Sequence, residues 1–336
     1  MNIFKAFAIA AVVLLCSCGG RQQDAGNYVR LETGFAFGTV YNITVNLQDT
    51  SGLRRAVDSL FAAVTSSMSV YDPESLLSRL NRNETREVDE HISYCIRVAA
   101  NVSELCGGEY DVTLKPVIDA WGFNAGVPTG RPERLDSLMQ FVGYEKIAIE
   151  DGRLIKKDLR TQIDLNSIAK GYAVDLLAQL MEAHGATDYM LEVGGEIVSK
   201  GLNARGREWT VGIDRPVEGG LSGADHQAII RLGTGALATS GNYRKFYIDP
   251  DGEQVVHTVS GTTGEARTND MLSATVIAPT CTLADAWATM LMAVGAERAR
   301  ELLAAHPDVE GYLIYIDAHG GITTYASPEF ESRIVR

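Results

Sequence analysis

Gln162–Gly185, QIDLNSIAKGYAVDLLAQLMEAHG, together with the later stretch Tyr189–Gly201, YMLEVGGEIVSKG, sets the class of fold. The first residues alternate as a short strand, and from Ala169 the apolar spacing is that of an amphipathic helix. A strand, a helix and a strand suit a doubly wound fold only if that alternation continues. Here it stops. EWTVGIDRP, HQAIIRLG, ALATSG, RKFYIDPDGEQVVHTVS and SATVIAP follow as a run of strands. Strands that come in runs with hairpin turns define an α+β protein with largely antiparallel sheets packed with helices. At the start of the helix, Ser167-Ile168-Ala169-Lys170-Gly171 leaves the first turn almost bare. Its unpaired N–H groups and positive dipole end suit an anion such as a phosphate. Small residues would equally let the helix pack close to the sheet.

Upstream, FGTVYNITVNL alternates as a strand, and LRRAVDSLFAAVTSSM and Glu90–Leu105 have helical spacing. KIAIEDGRLIKK reads as a hairpin turning at Asp151-Gly152. In YDVTLKPVIDAWGF, Pro116 and Gly122 are the punctuation. Downstream, TLADAWATMLMAVGAERARELLAAH reads as one helix and GYLIYIDAHGGITTYAS as a closing hairpin. The G-x-G-x-x-A match at Gly233–Ala238 runs into Thr239-Ser240-Gly241-Asn242, a turn sequence rather than a helix, which disfavours a Rossmann reading.

The chain has 336 residues, 46% hydrophobic and 22% charged, with a formal charge of −13. That balance excludes a general nucleic-acid binder, which needs a surplus of Lys and Arg. Residues 1–17 read as a lipoprotein signal peptide: Lys5, then the apolar run AFAIAAVVLLCSC, too short for a comfortable membrane span. Leu15-Cys16-Ser17-Cys18 resembles a lipobox with Cys18 as the lipidated residue, a non-cleaved anchor being the other reading. Residues 18–29 read as the lipidated cysteine and a flexible tether, and residues 30–336 as the folded domain. These features place the protein on the periplasmic side, held to the membrane by its lipid. Cys95 and Cys106 fall in one helical pattern, their Cα atoms roughly 16 Å apart, beyond disulfide reach. With Cys281 they are expected as small buried hydrophobes.

Several residues carry chemistry. Asp285 and Thr289, at i and i+4 of the late helix, share one face. A carboxylate and a hydroxyl suit a hard cation such as Mg²⁺, although an Asp near a helix start and a back-bonding Thr are equally ordinary. His257 follows a strand and precedes a glycine-rich turn, a place for a general base or a structural histidine. The other five histidines, His91, His184, His226, His306 and His319, fall at helix ends or loops and are expected in solvent. Thr239–Arg244 reads as a weak anion cradle, and Tyr71, Tyr110 and Trp121 as a face for an aromatic ring or as core.

Taken in order, FGTVYNITV, MSVYDPESLLSRLN, GEYDVTLKPVIDAWGF, IDLNSIAKGYAVD, LEVGGEI, ATSGNYRKF, HTVSGTTGE and SATVIAPTCTLADAWATMLMAVG resemble the FAD:protein FMN transferases, the ApbE family of bacterial lipoproteins. The resemblance runs from about Phe35 to Ser327. It implies an ApbE-like fold and Mg²⁺-dependent transfer of FMN from FAD, through a phosphoester, to a Ser or Thr hydroxyl of an acceptor redox protein, releasing AMP. It implies Asp285, Thr289 and the backbone carbonyl of Ala169 as Mg²⁺ ligands and His257 as the base. It implies flavin contacts at Phe37, Tyr71, Glu109, Tyr110, Asp111, Asn166, Lys170 and Val259. Three positions depart from the family pattern. Phe37 stands for a common Met, and Ala288 for an Asp of some relatives, leaving one carboxylate fewer at the metal. Ser260-Gly261 stands for Asp-Pro and is expected to loosen the turn after His257. Two other functions compete: an Mg²⁺-dependent FAD pyrophosphatase giving FMN and AMP, and a non-catalytic flavin-binding lipoprotein. A tyrosine at position 71 favours transfer over hydrolysis in such relatives.

Overall fold

Tyr41, Ile43 and Val45 alternate with Asn42 and Thr44 along β2 (Thr39–Asn46), and only the first set is buried, so one face of this strand must lie on a core. In the computed structural model, which describes residues 28–125, 130–216, 226–242, 246–248, 254–266 and 269–335, that core sits between a sheet and a layer of helices. The sheet has eight strands: β1 (Tyr28–Ala36), β2, β3 (Tyr189–Val193), β4 (Glu196–Lys200), β5 (Gly235–Gly241), β6 (Met271–Ala278), β7 (Glu310–Ile316) and β8 (Ile322–Ala326). Their spatial order is their order along the chain, and each neighbouring pair is antiparallel. The antiparallel α+β expectation is met.

The longer helices that pack on this sheet or on one another are α1 (Leu53–Met68), α2 (Glu90–Leu105), α3 (Ala169–Ala183), α4 (Cys281–Val294) and α5 (Ala296–Ala305). Helix α4 is apolar nearly all round, so it belongs in the middle of the molecule. It lies on β5 and β6, where Ala236, Ala238 and Ala274 keep the sheet surface low, and α2 and α3 close over it. The other sheet face is covered by the hairpin Thr210–Asp214/His226–Arg231 and by Phe330 of the helix Pro328–Arg333. A third cluster, with Trp121, Leu135, Val255 and Val259, joins the helix Lys115–Trp121 to the hairpin Phe246–Ile248/Gln254–Val256.

The turn at Asp151-Gly152 forms as expected, both residues taking positive φ. Other elements differ from expectation. The late helix is two, because Gly295 at φ 80, ψ 165 breaks it, and the freed ends are met by Asn269 Nδ2 on the Met292 carbonyl and by Asp270 on the Ala296 N–H. The expected strand QIDL forms no ladder. Asn81, a buried amide, takes the N–H and carbonyl of Ile163 at 2.7 and 2.8 Å, and Val112 accepts from Asp164. Thr239-Ser240-Gly241 is not a turn but the end of β5, laddered to β6. Asn242 follows it, buried, and the last two residues of the supposed cradle, Tyr243 and Arg244, lie outside the described residues, as do the signal segment and Cys18. Cys95 and Cys281 are buried free thiols, as expected. His91 is not a solvated histidine: its Nδ1 lies 2.9 Å from the Tyr172 hydroxyl, half-buried.

Candidate active site

Helix α4 places one charged group, Asp285, inside the core. An isolated buried carboxylate is costly, so its partners define the site. Its Oδ2 accepts the Gly171 N–H at 3.0 Å, in the first turn of α3. The anion at this bare helix end is therefore the protein's own carboxylate. The same contact explains Gly171. A Cβ there would stand 2.7 Å from the Cys281 carbonyl carbon and 2.8 Å from Asp285 Cβ, so only glycine lets α3 close on α4. The close-packing reading of the small residues thus holds at Gly171, while Ala169 is only half-buried.

The other end of the contact is reinforced by Asp175, one turn further along α3. Its Oδ1 accepts from the Cys281 N–H at 2.9 Å, and its Oδ2 from the Thr282 N–H at 2.8 Å and the Thr282 hydroxyl at 2.5 Å, capping α4. Asp175→Ala should lower global stability by roughly 2–4 kcal/mol, read from urea unfolding, because two buried N–H groups lose their acceptor. A loss under about 0.5 kcal/mol would mean that the cap does not hold the two helices together.

Lys170 reaches Glu196, the first residue of β4, at 2.5 Å and stands 3.9 Å from Asp285 Oδ1. Burial pulls the Lys170 ammonium down, but the charges of Asp285 and Glu196 outweigh it and the group stays protonated. Burial pushes both Asp285 and Glu196 up against the opposing pull of Lys170. Thr289 lies one turn beyond Asp285, its Oγ1 3.3 Å from the Ser240 Oγ on β5. Among the described residues no group of three or more His, Cys, Asp or Glu gathers. A hard cation that keeps most of its water needs no such cluster, and a buried carboxylate with an adjacent threonine hydroxyl fits it.

Two loops flank this floor. Tyr71, 65% exposed, donates to Asn124 Oδ1 at 3.3 Å and accepts from Asn166 Nδ2 at 3.2 Å. Buried Asp164 holds both residues, accepting the Asn166 backbone N–H at 2.8 Å and Asn124 Nδ2 at 3.2 Å. Tyr110 lies in the core with its hydroxyl 3.0 Å from Ser167 Oγ, tying the 106–111 loop to the start of α3. The Asp111 carboxylate is engaged within the protein, accepting from Thr113 on its own loop and from the more distant Tyr144 N–H. Trp121 and Val259 are core, with Trp121 Nε1 on the Gly264 carbonyl. Phe37 turns the β1–β2 hairpin at φ 52, a strained conformation for a bulky residue, with its ring edge-on to Phe61.

His257 is exposed, directly after the strand Gln254–Val256. The turn beyond it is clasped rather than loosened, which corrects the expectation for Ser260-Gly261. Gly261 N–H donates to the Glu109 carbonyl at 2.8 Å, and the Thr262 hydroxyl to Glu109 Oε2 at 2.6 Å. A proline at 261 has no N–H to give, and a Cβ there would lie 2.9 Å from Glu109 O and closer still to Gly108 O. Before the turn, Thr258 donates to Asn242, just past the end of the strand that carries Ser240. Gly261→Pro should cost about 1–3 kcal/mol of stability and slow turnover about tenfold through a displaced His257. Unchanged rates at unchanged stability would contradict the clasp.

The structure brings Lys170, Asp285 and Thr289 into one floor and Tyr71 and Asn166 into one rim, and it clasps Glu109 to the turn after His257. Glu196, Asn124 and Asp164 were not singled out from sequence, whereas Ser240 stood in the supposed anion cradle. Glu196 and Asp164 both lie in motifs that carry the family resemblance, and Glu196, a charge placed directly after two glycines at the start of a strand, could have been flagged there.

An antiparallel sheet carries a buried carboxylate–ammonium floor, and the strand end that follows Ser240 is tied through Asn242 and Thr258 to an exposed histidine, an arrangement that fits a small-molecule site on an α+β scaffold. The chain belongs to the ApbE family, whose model matches residues 37–313. It is 34% identical to the FAD:protein FMN transferase of Vibrio cholerae, over 96% of this chain and 97% of that one. It is 30% identical to the enzyme of the same name from Salmonella typhimurium, over 100% and 98%. The structure superposes on the flavin transferase ApbE from Vibrio cholerae with a TM-score of 0.80 at 32% identity, covering 91% of this chain and 99% of that chain. It also matches the ApbE protein of Thermotoga maritima, with a TM-score of 0.80 at 27% identity over 92% and 100%.

Proposed function

We propose that this protein is an FAD:protein FMN transferase that moves the FMN half of FAD onto a Ser or Thr hydroxyl of an acceptor redox protein and releases AMP. The observation that carries this reading is the buried floor of Asp285, Lys170 and Thr289 at the head of α3, in a chain that aligns end to end with enzymes of that activity. Asp285, Thr289 and the Ala169 carbonyl would hold Mg²⁺, which when bound neutralises the diphosphate and stabilises the departing AMP. Phe37, Tyr71, Asn166, Lys170, Val259 and the 109–111 segment would hold the flavin nucleotide, Asp111 through its backbone because its carboxylate is engaged. His257 takes the proton from the acceptor hydroxyl, whose oxygen forms a bond to the FMN-side phosphorus. The phosphorus–oxygen bond to AMP breaks, and AMP leaves with the electron pair. Positioning carries much of the rate, since two substrates must meet in line.

Tyr71, held by two amides at the rim, supports transfer over hydrolysis, because an ordered aromatic face narrows the access of water to the phosphorus. A lipid on Cys18 and a periplasmic location complete the proposal; among the described residues no helix is long and apolar enough to cross a membrane. Chromatography of the nucleotides tests the reading. AMP should form from FAD only when a divalent cation and an acceptor protein are both present. Equimolar free FMN and AMP without acceptor would instead establish the pyrophosphatase, and intact FAD throughout a binding protein.

A further inference from the structure

Glu196 is the least explained charge in the molecule. It is 2% exposed, begins β4 directly after Gly194-Gly195, and spends one oxygen, Oε1, on Lys170 Nζ at 2.5 Å. Its other oxygen, Oε2, is buried and has no hydrogen-bond partner. A buried acceptor left unmade is expensive, so such an oxygen is retained where a donor arrives with a ligand. The geometry of Lys170 shows what the bonded oxygen does. The ammonium lies between two buried carboxylates but not midway: 2.5 Å from Glu196 and 3.9 Å from Asp285 Oδ1. Asp285 Oδ2 is meanwhile occupied by the Gly171 N–H. Oδ1 is thus the oxygen available to a cation, and Lys170 is the nearest competitor for it.

We propose that Glu196 is a positioning residue for the cation site: it draws the Lys170 ammonium off Asp285 Oδ1 and offers Oε2 to the water shell of the cation that takes its place. The inference rests on the reading of Asp285 as a cation ligand. Because Lys170 is drawn to Glu196 and stands 3.9 Å from Asp285 Oδ1, that oxygen faces the low-dielectric floor without a close cation, which favours entry of a divalent one. If Glu196 were uncharged, Lys170 would pair with Asp285 instead, filling the place of the cation with a tethered one. A merely structural role for Glu196 makes no such demand on Lys170.

Binding of Mn²⁺ alone to the folded protein, followed by the EPR signal of the free aqueous ion, tests this without turnover. Glu196→Gln should weaken Mn²⁺ binding at least tenfold. Glu196→Gln combined with Lys170→Met should return to within about threefold of the unaltered protein, because no ammonium remains to collapse onto Asp285. Far-UV circular dichroism and the melting temperature in EDTA confirm that each variant is folded, and loss of the fold in both variants would itself show that Glu196 is structural and overturn the inference. Unchanged binding by Glu196→Gln, or a double variant as weak as the single, would also overturn it while leaving the cation reading intact. Mn²⁺ binding that is absent from the unaltered protein, or unaffected by Asp285→Ala, would remove the cation reading and this inference with it.

Discussion

Asp285→Asn should abolish the proposed divalent-cation-dependent reaction, lowering AMP formation from FAD at least ~10³-fold while the protein stays folded. The substitution keeps the size of the side chain and an oxygen for the Gly171 N–H, so the contact between α3 and α4 survives. What it removes is the one charge that α4 carries into the core. Without it the cation loses its carboxylate, and Lys170 is left paired with Glu196 alone. Adding EDTA to the unaltered enzyme should reproduce the defect, and the variant should show no further loss in EDTA. Activity within tenfold of the unaltered enzyme, in a protein with an unchanged melting temperature, would mean that the chemistry does not pass through this floor.

His257→Ala should slow transfer by about 10²–10⁴-fold and leave the affinity for FAD within about threefold. His257 is exposed at the end of a hairpin strand, and the turn beyond it is clasped to the Glu109 carbonyl and side chain. A side chain so placed can meet a second substrate arriving from solvent, which a base for a protein hydroxyl must do. Removing the imidazole takes away a proton acceptor at an exposed position. Flavin fluorescence titration gives the affinity, and AMP release under saturating acceptor gives the rate. Equal rates would take the proton transfer away from His257, and a parallel loss of FAD affinity would make it a binding residue.

The fold was legible where local rules act alone. Asp151-Gly152 forms the hairpin turn its residues demand, and the alternation of Tyr41, Ile43 and Val45 marks the buried face of β2. It was illegible where distant side chains replace backbone partners. QIDL has the alternation of a strand, yet the buried amide of Asn81, far away in the chain, takes the place of a ladder. Gly295 sits in an apolar helical pattern, and only its φ and ψ show that the helix ends there. The site was legible as a set of types: Asp285 and Thr289 share a face because their spacing is one helical turn. Its floor was not, because Lys170 and Glu196 come from a helix and a strand whose pairing is a tertiary fact. Ser260-Gly261 looks like a loosened turn until Gly261 is seen to give Glu109 the N–H that a proline lacks.

The intact mass of a candidate acceptor domain, taken after incubation with the enzyme, FAD and Mg²⁺, decides whether FMN is transferred to protein. A transferase leaves the acceptor heavier by one FMN less one water, at a Ser or Thr, with one AMP released per acceptor modified. No mass gain in an acceptor that is flavinylated under the same conditions by a relative of established activity would contradict transfer by this chain.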